Sequence, residues 1–124
     1  MGRASLAALA VVVVVGSSGL AAGEQTWTGF ISDSHCGASH RNYVERVDLK
    51  TARECVVGRP GDASMPGCVS ARNGATFVVV VGEKVYQVAN QDFKELRTLA
   101  AEPVKITGTL KGDVMTVSRI ARAK

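Results

Sequence analysis

From Thr76 onward the chain is a succession of short strands, and this stretch limits the possible folds more than any other feature. Thr76–Val81 (TFVVVV) is an unbroken β-branched and aromatic run, the pattern of a strand covered on both faces. Gly82-Glu83 fits the two-residue turn of a type II′ hairpin, and Lys84–Ala89 (KVYQVA) is the returning strand. The period then changes. Over Asp92–Ala100, Phe93, Leu96, Leu99 and Ala100 share one helical face, and Asp92-x-x-Glu95 has the form of a cap at its start. Val104, Ile106, Gly108 and Leu110 alternate with Lys105, Thr107 and Thr109, which predicts a half-buried strand. Lys111-Gly112-Asp113 turns the chain into Val114–Ser118, with Met115 and Val117 facing inward. Ile120 breaks that parity and predicts a bulge or strand end.

Upstream, Thr26–Ser32 (TWTGFIS) reads as a first strand. Residues 33–74 form an irregular insertion rich in Ser, Gly, Pro and Asn. Within it Thr51-x-x-Glu54 is a capping-box signature for a short helix carrying Cys55. A second helical turn is expected from Pro66 to near Gly74, and a third from the spacing of Tyr43, Val44 and Val47. The order is strand, long insertion, strand, strand, helix, strand, strand. Five strands with one helix between the third and fourth is the order of an OB-like barrel, and an open α+β sheet is the alternative. The barrel is preferred because closure hides the strand edges.

The first residues point to export. Leu6–Val15 is an apolar run preceded by Arg3 and followed by Gly16, Ser17, Ser18 and Gly19, the layout of a signal peptide. At half the roughly 20 residues a membrane helix needs, the run is too short to span. Small residues at Ala21, Ala22 and Gly23 place cleavage after Gly23, with Ala21 and Ala22 as alternatives. The mature part, 24–124, is long enough for one core and one domain, with no transmembrane segment expected in it. Without Arg3 the 15 basic residues fall to 14 against 11 acidic ones, a spread excess that argues against nucleic acid as a partner. The expected location is the periplasm or the extracellular space.

With the pattern assembled, the chain resembles a family of small exported bacterial proteins classed as a domain of unknown function. The resemblance rests on Gly29-Phe30-Ile31-Ser32-Asp33-Ser34-His35-Cys36-Gly37-Ala38-Ser39-His40, Glu54-Cys55 and Cys68-Val69. It continues through Val85-Tyr86-Gln87-Val88-Ala89-Asn90-Gln91-Asp92-Phe93 and Val104-Lys105-Ile106-Thr107-Gly108-Thr109-Leu110. It implies a short OB-type barrel and brings no biochemical role. The second and third cysteines usually lie closer together in such proteins. Here Gly58–Gly67 is inserted between them, which argues against one helix carrying both.

Three cysteines, Cys36, Cys55 and Cys68, lie in the mature part. In an oxidising compartment cysteines pair, and an odd number leaves one thiol over. Of the three possible pairings, Cys55–Cys68 is preferred because it closes a short loop holding Gly58, Pro60, Gly61, Pro66 and Gly67. A loop of that length is worth roughly 3 kcal/mol in the chain-entropy picture. Cys36 is then the free thiol, with a partnership to either of the others as the alternative. It sits in H-C-G-A-S-H, between the chain's two histidines, His35 and His40. Imidazole and thiolate are ligands for zinc and copper ions, and Cys55 or Cys68 would complete a four-ligand set. No C-x-x-C and no standard zinc spacing is present. Trp27 and Tyr86 are the candidates for stacking a ligand on the barrel.

No convergent set of catalytic groups stands out. The reading is therefore an exported, non-enzymatic binding module for an unknown ligand, with a transition metal at His35, Cys36 and His40 as its sharpest form. Two other classes stand beside it: a Cys-dependent redox or thiol enzyme, and a structural domain that binds an envelope protein through residues 33–74.

Overall fold

The computed structural model describes residues 23–39 and 48–123. Most of the expected signal peptide, the turn expected at Tyr43–Val47 and His40 fall outside them. Five strands, β1 (Gln25–Asp33), β2 (Phe77–Val81), β3 (Lys84–Val88), β4 (Val104–Lys111) and β5 (Val114–Arg122), close into a barrel. Around it the order is β1-β2-β3-β5-β4, and β4 returns to β1. All pairs are antiparallel except β3 with β5. The open α+β sheet is therefore not the architecture. Closure depends on β1, whose Gln25–Gly29 pair with β4 and whose Phe30–Asp33 pair with β2.

Alternation along each strand decides what lies inside. Ile31, Phe77, Val79, Val88, Val104, Ile106, Met115 and Val117 fill the main core together with Leu96, Leu99 and Ala100. The β2 run is buried on both faces because Val78 and Val80 point outward into a second cluster with Phe30, covered by Ala38. The β2–β3 hairpin turns at Gly82-Glu83, where Gly82 alone has positive φ, as type II′ requires and type I′ does not. Ile120 is buried because Gly108 faces Val117 while Thr107 faces Arg119. Ser118 is the extra residue of a bulge, and β5 continues past it to Arg122.

Two side chains substitute for missing strand pairings beyond β3. The Gln91 amide donates to Phe77 O and Val88 O and accepts from Phe77 N–H. Asn90 likewise donates to Val117 O and accepts from Val117 N–H. These buried-edge backbone groups would otherwise lack partners.

Among the described residues, two α-helices flank the barrel. The first, α1 (Leu49–Val57), starts earlier than the capping-box signature implies. Asp48 is the N-cap, and its carboxylate accepts from Thr51 N–H at 2.7 Å, so Thr51 is a capped residue and not the cap. Ala52 and Val56, four apart, face the barrel. Arg53 ties the helix down by donating to Ala100 O and pairing with Glu102, which Arg122 also holds. The second helix, α2 (Lys94–Thr98), is shorter than Asp92–Ala100. Phe93 occupies its N-cap without a side-chain bond, so Asp92 does not cap it. The expected buried face holds at Leu96, Leu99 and Ala100. The helix expected after Pro66 is only a turn, closed by Gly74 N–H to Ser70 O at 2.8 Å.

Candidate functional site: a three-cysteine cluster

Cys36, Cys55 and Cys68 come from three separate segments and meet in one cluster. Their sulfur atoms all lie within 4.8 Å of one another, and each residue is half-buried. No bond joins any pair; all three are free thiols.

Cys36 is placed by the end of β1. Asp33, fully buried, accepts from His35 N–H at 3.0 Å and Cys36 N–H at 2.9 Å, which folds the chain back in an Asx-turn. Ser32, also fully buried, donates to Gly37 O at 2.7 Å. A short 3₁₀ turn, Gly37–Ser39, follows and seats Ala38 on the outer cluster. Ser34 joins the turn to β2, its N–H donating to Thr76 O and its hydroxyl accepting from Thr76 N–H.

Cys55 lies near the end of α1, and Cys68 follows the loop that leaves this helix. Their backbones run side by side: Cys68 N–H donates to Cys55 O at 3.0 Å, and Val69 N–H to Val56 O at 2.9 Å. Between them the connecting loop closes on itself through Arg59 N–H to Met65 O. Its neck is made of two glycines packed against each other. A methyl group on Gly58 would stand 2.5 Å from Met65 O, and one on Gly67 would stand 2.5 Å from the Val57 carbonyl carbon. Both have positive φ, 90° and 80°. The loop between Gly58 and Gly67 thus keeps the two cysteines together although it separates them in sequence.

The surroundings disfavour bare thiolates. Burial and then the Asp33 carboxylate push the Cys36 thiol up to about 11, with a smaller contribution from Cys68. Burial, Asp33 and Cys55 push Cys68 up to about 11 as well. Cys55 is raised mainly by burial, then by Cys36 and Asp33. A lone nucleophilic thiol needs the opposite environment, one of positive charge. A cation among the sulfurs would meet three potential thiolates and a buried carboxylate.

The residues expected from H-C-G-A-S-H separate here. Cys36 belongs to the cluster, His35 is exposed in the same turn and lies outside the three-sulfur group, and His40 is not among the described residues. The sequence left Cys55 and Cys68 as a bridge or as a supplement to the histidines, and the structure places both with Cys36. Asp33 enters only through the structure; the available signal was an Asp directly after the expected first strand, a residue that favours Asx-turns. Trp27 and Tyr86 are half-buried against the main core, their ring centroids 6.5 Å apart and tilted by 39°. Lys84 Nζ stands 5.7 Å from the Tyr86 ring centre. Among the described residues no helix is long and apolar enough to cross a membrane. No family model, curated protein or solved structure matches the chain.

Proposed function

We propose that this protein is an exported, non-enzymatic binding module whose ligand is a thiophilic metal ion, Zn²⁺ or Cu⁺, held by Cys36, Cys55 and Cys68. The observation that carries the reading is the convergence of three sulfurs from three segments to within 4.8 Å of one another. Sulfurs bound to one tetrahedral zinc at about 2.3 Å stand about 3.8 Å apart, so small side-chain adjustments suffice. Three thiolates with one imidazole form a familiar zinc set, and His35 or His40 is near enough in sequence to supply the fourth ligand. Asp33 sits behind the sulfurs as a charged support of the kind that orients metal ligands. The strand order and the helix between β3 and β4 support an OB-like label for the barrel. The cluster then lies in the connection between β1 and β2, where such barrels often take ligands. The resemblance to the exported family and the signal-peptide layout support a location outside the cytosol.

The experiment is a competition titration of the reduced mature protein with Zn²⁺ and Cu⁺ against a chromophoric chelator, with Co²⁺ as a spectroscopic probe. One ion per chain is expected, with thiolate charge-transfer bands from cobalt. Affinity should fall sharply in Cys36→Ser, Cys55→Ser and Cys68→Ser alike, and less in His35→Ala or His40→Ala. Binding that survives both Cys55→Ser and Cys68→Ser would defeat the proposal.

A further inference from the structure

The backbone arrangement around the three sulfurs makes the pairs unequal. Cys55 and Cys68 are joined directly by the Cys68 N–H to Cys55 O bond, with Val69 to Val56 beside it, and the glycine neck holds both sides. Cys36 belongs to a different segment, anchored independently by Ser32 and Asp33. The sulfurs of Cys55 and Cys68 need to close from within 4.8 Å to a bond of about 2 Å, a movement within reach of side-chain rotation. All three residues are half-buried, so a small reagent can reach them.

We infer that the cluster is a redox-gated metal site: a disulfide oxidant joins Cys55 to Cys68, and the bound ion is released. The inference rests on the metal-binding reading above. A disulfide R–S–S–R is attacked by one of the two sulfurs, giving a mixed disulfide and one R–S⁻. The other cysteine then attacks the protein sulfur of that mixed disulfide and expels the second R–S⁻. One Cys55–Cys68 bond forms and one oxidant S–S bond breaks; two electrons pass to the oxidant, which leaves as two thiols. From the metal-free protein the two protons come from the cysteines. From the metal-bound form the sulfurs are already deprotonated, and three protons are taken from the buffer as the ion departs, two by the released thiols and one by Cys36. Cys36 remains as a single sulfur, and with at most one imidazole beside it the remaining donors hold the ion too weakly to keep it from a chelator. In an oxidising compartment the site would load only where the pair is kept reduced.

The test uses the reduced mature protein loaded with Zn²⁺ and then exposed to oxidised glutathione. Zinc release is followed with a chromophoric chelator, free thiols are counted, and the linkage is mapped by peptide mass spectrometry after alkylation. The expected result is loss of the whole zinc equivalent in step with two thiols, a Cys55–Cys68 peptide, and alkylated Cys36. Reduction with dithiothreitol should restore zinc uptake. Zinc retained after oxidation, thiols that stay intact while metal is bound, or a bridge chiefly to Cys36 would overturn the switch and leave metal binding standing. Reduced protein that takes up no zinc would instead defeat the underlying function.

Discussion

If the Gly58–Gly67 neck brings Cys55 and Cys68 together, a single methyl group at Gly67 should damage both stability and metal binding. Gly67 has φ of 80°, and an alanine there costs about 1–2 kcal/mol for the left-handed backbone. The added methyl would also press on Gly58 N, come within 2.5 Å of the Val57 carbonyl carbon, and lie 2.8 Å from Val56 O. These are backbone atoms at the end of α1, so they yield only by moving the helix away from the Cys68 segment. Overpacking of that kind adds about 1–3 kcal/mol, for roughly 3 kcal/mol in all. Gly74 provides an internal control, with φ of 77° and nothing within 4 Å of the added carbon. Gly74→Ala should therefore show the backbone cost alone. For a domain of about 100 residues the expected fall in Tm is roughly 12–24 °C for Gly67→Ala and about 4–16 °C for Gly74→Ala, the first exceeding the second. Thermal unfolding of the reduced proteins measures this, and zinc titration reports the site. Equal losses in the two variants, or unchanged zinc affinity in Gly67→Ala, would refute the claim that close backbone packing assembles the cluster.

Gln91→Ala removes three hydrogen bonds to Phe77 and Val88 backbone groups and should cost about 2–3 kcal/mol in urea unfolding, with zinc affinity preserved. A loss under about 0.5 kcal/mol would mean that water replaces the amide at the barrel edge. Asp33→Asn keeps an acceptor for the Asx-turn but deletes the charge beside the sulfurs, so zinc affinity should fall about 10–100-fold while the fold persists. An unchanged affinity would remove Asp33 from the site. Alkylation of the metal-free thiols should keep accelerating with pH toward about 11, where Cys36 and Cys68 ionise. A plateau near pH 7 would instead reveal an activated thiol and favour the enzyme reading. The folded state raises these thiols above their ordinary 9.0, so it binds protons more tightly than the unfolded chain. Their contribution to stability is thus fully present below pH 9 and is lost as pH rises through about 11. Stability that increases across this window would contradict the sign.

The barrel strands were legible because each carries its environment in its own residues. Val104, Ile106, Gly108 and Leu110 alternate with polar neighbours, and Phe77–Val81 is apolar throughout because two clusters cover it. Even the β5 bulge was visible, as a parity break at Ile120. Helix ends were less so. Thr51-x-x-Glu54 and Asp92-x-x-Glu95 are short-range patterns that compete with neighbours such as Asp48, and only the folded backbone shows which N–H groups lack partners.

The site shows the same limit. Composition alone placed three thiols in an irregular insertion beside two histidines, and proximity in sequence drew attention to His35, Cys36 and His40. A thiol cluster, however, depends on distance in space, and Cys36, Cys55 and Cys68 lie on segments whose approach is set elsewhere. Asp33 turns the chain after β1, Ala52 and Val56 dock α1, and two glycines let the insertion close to backbone contact. The sequence by itself determined the strands and the chemical types available. Only the tertiary structure decided that the three sulfurs share one site, because backbone approach from separate segments leaves no periodic mark on the residues that meet.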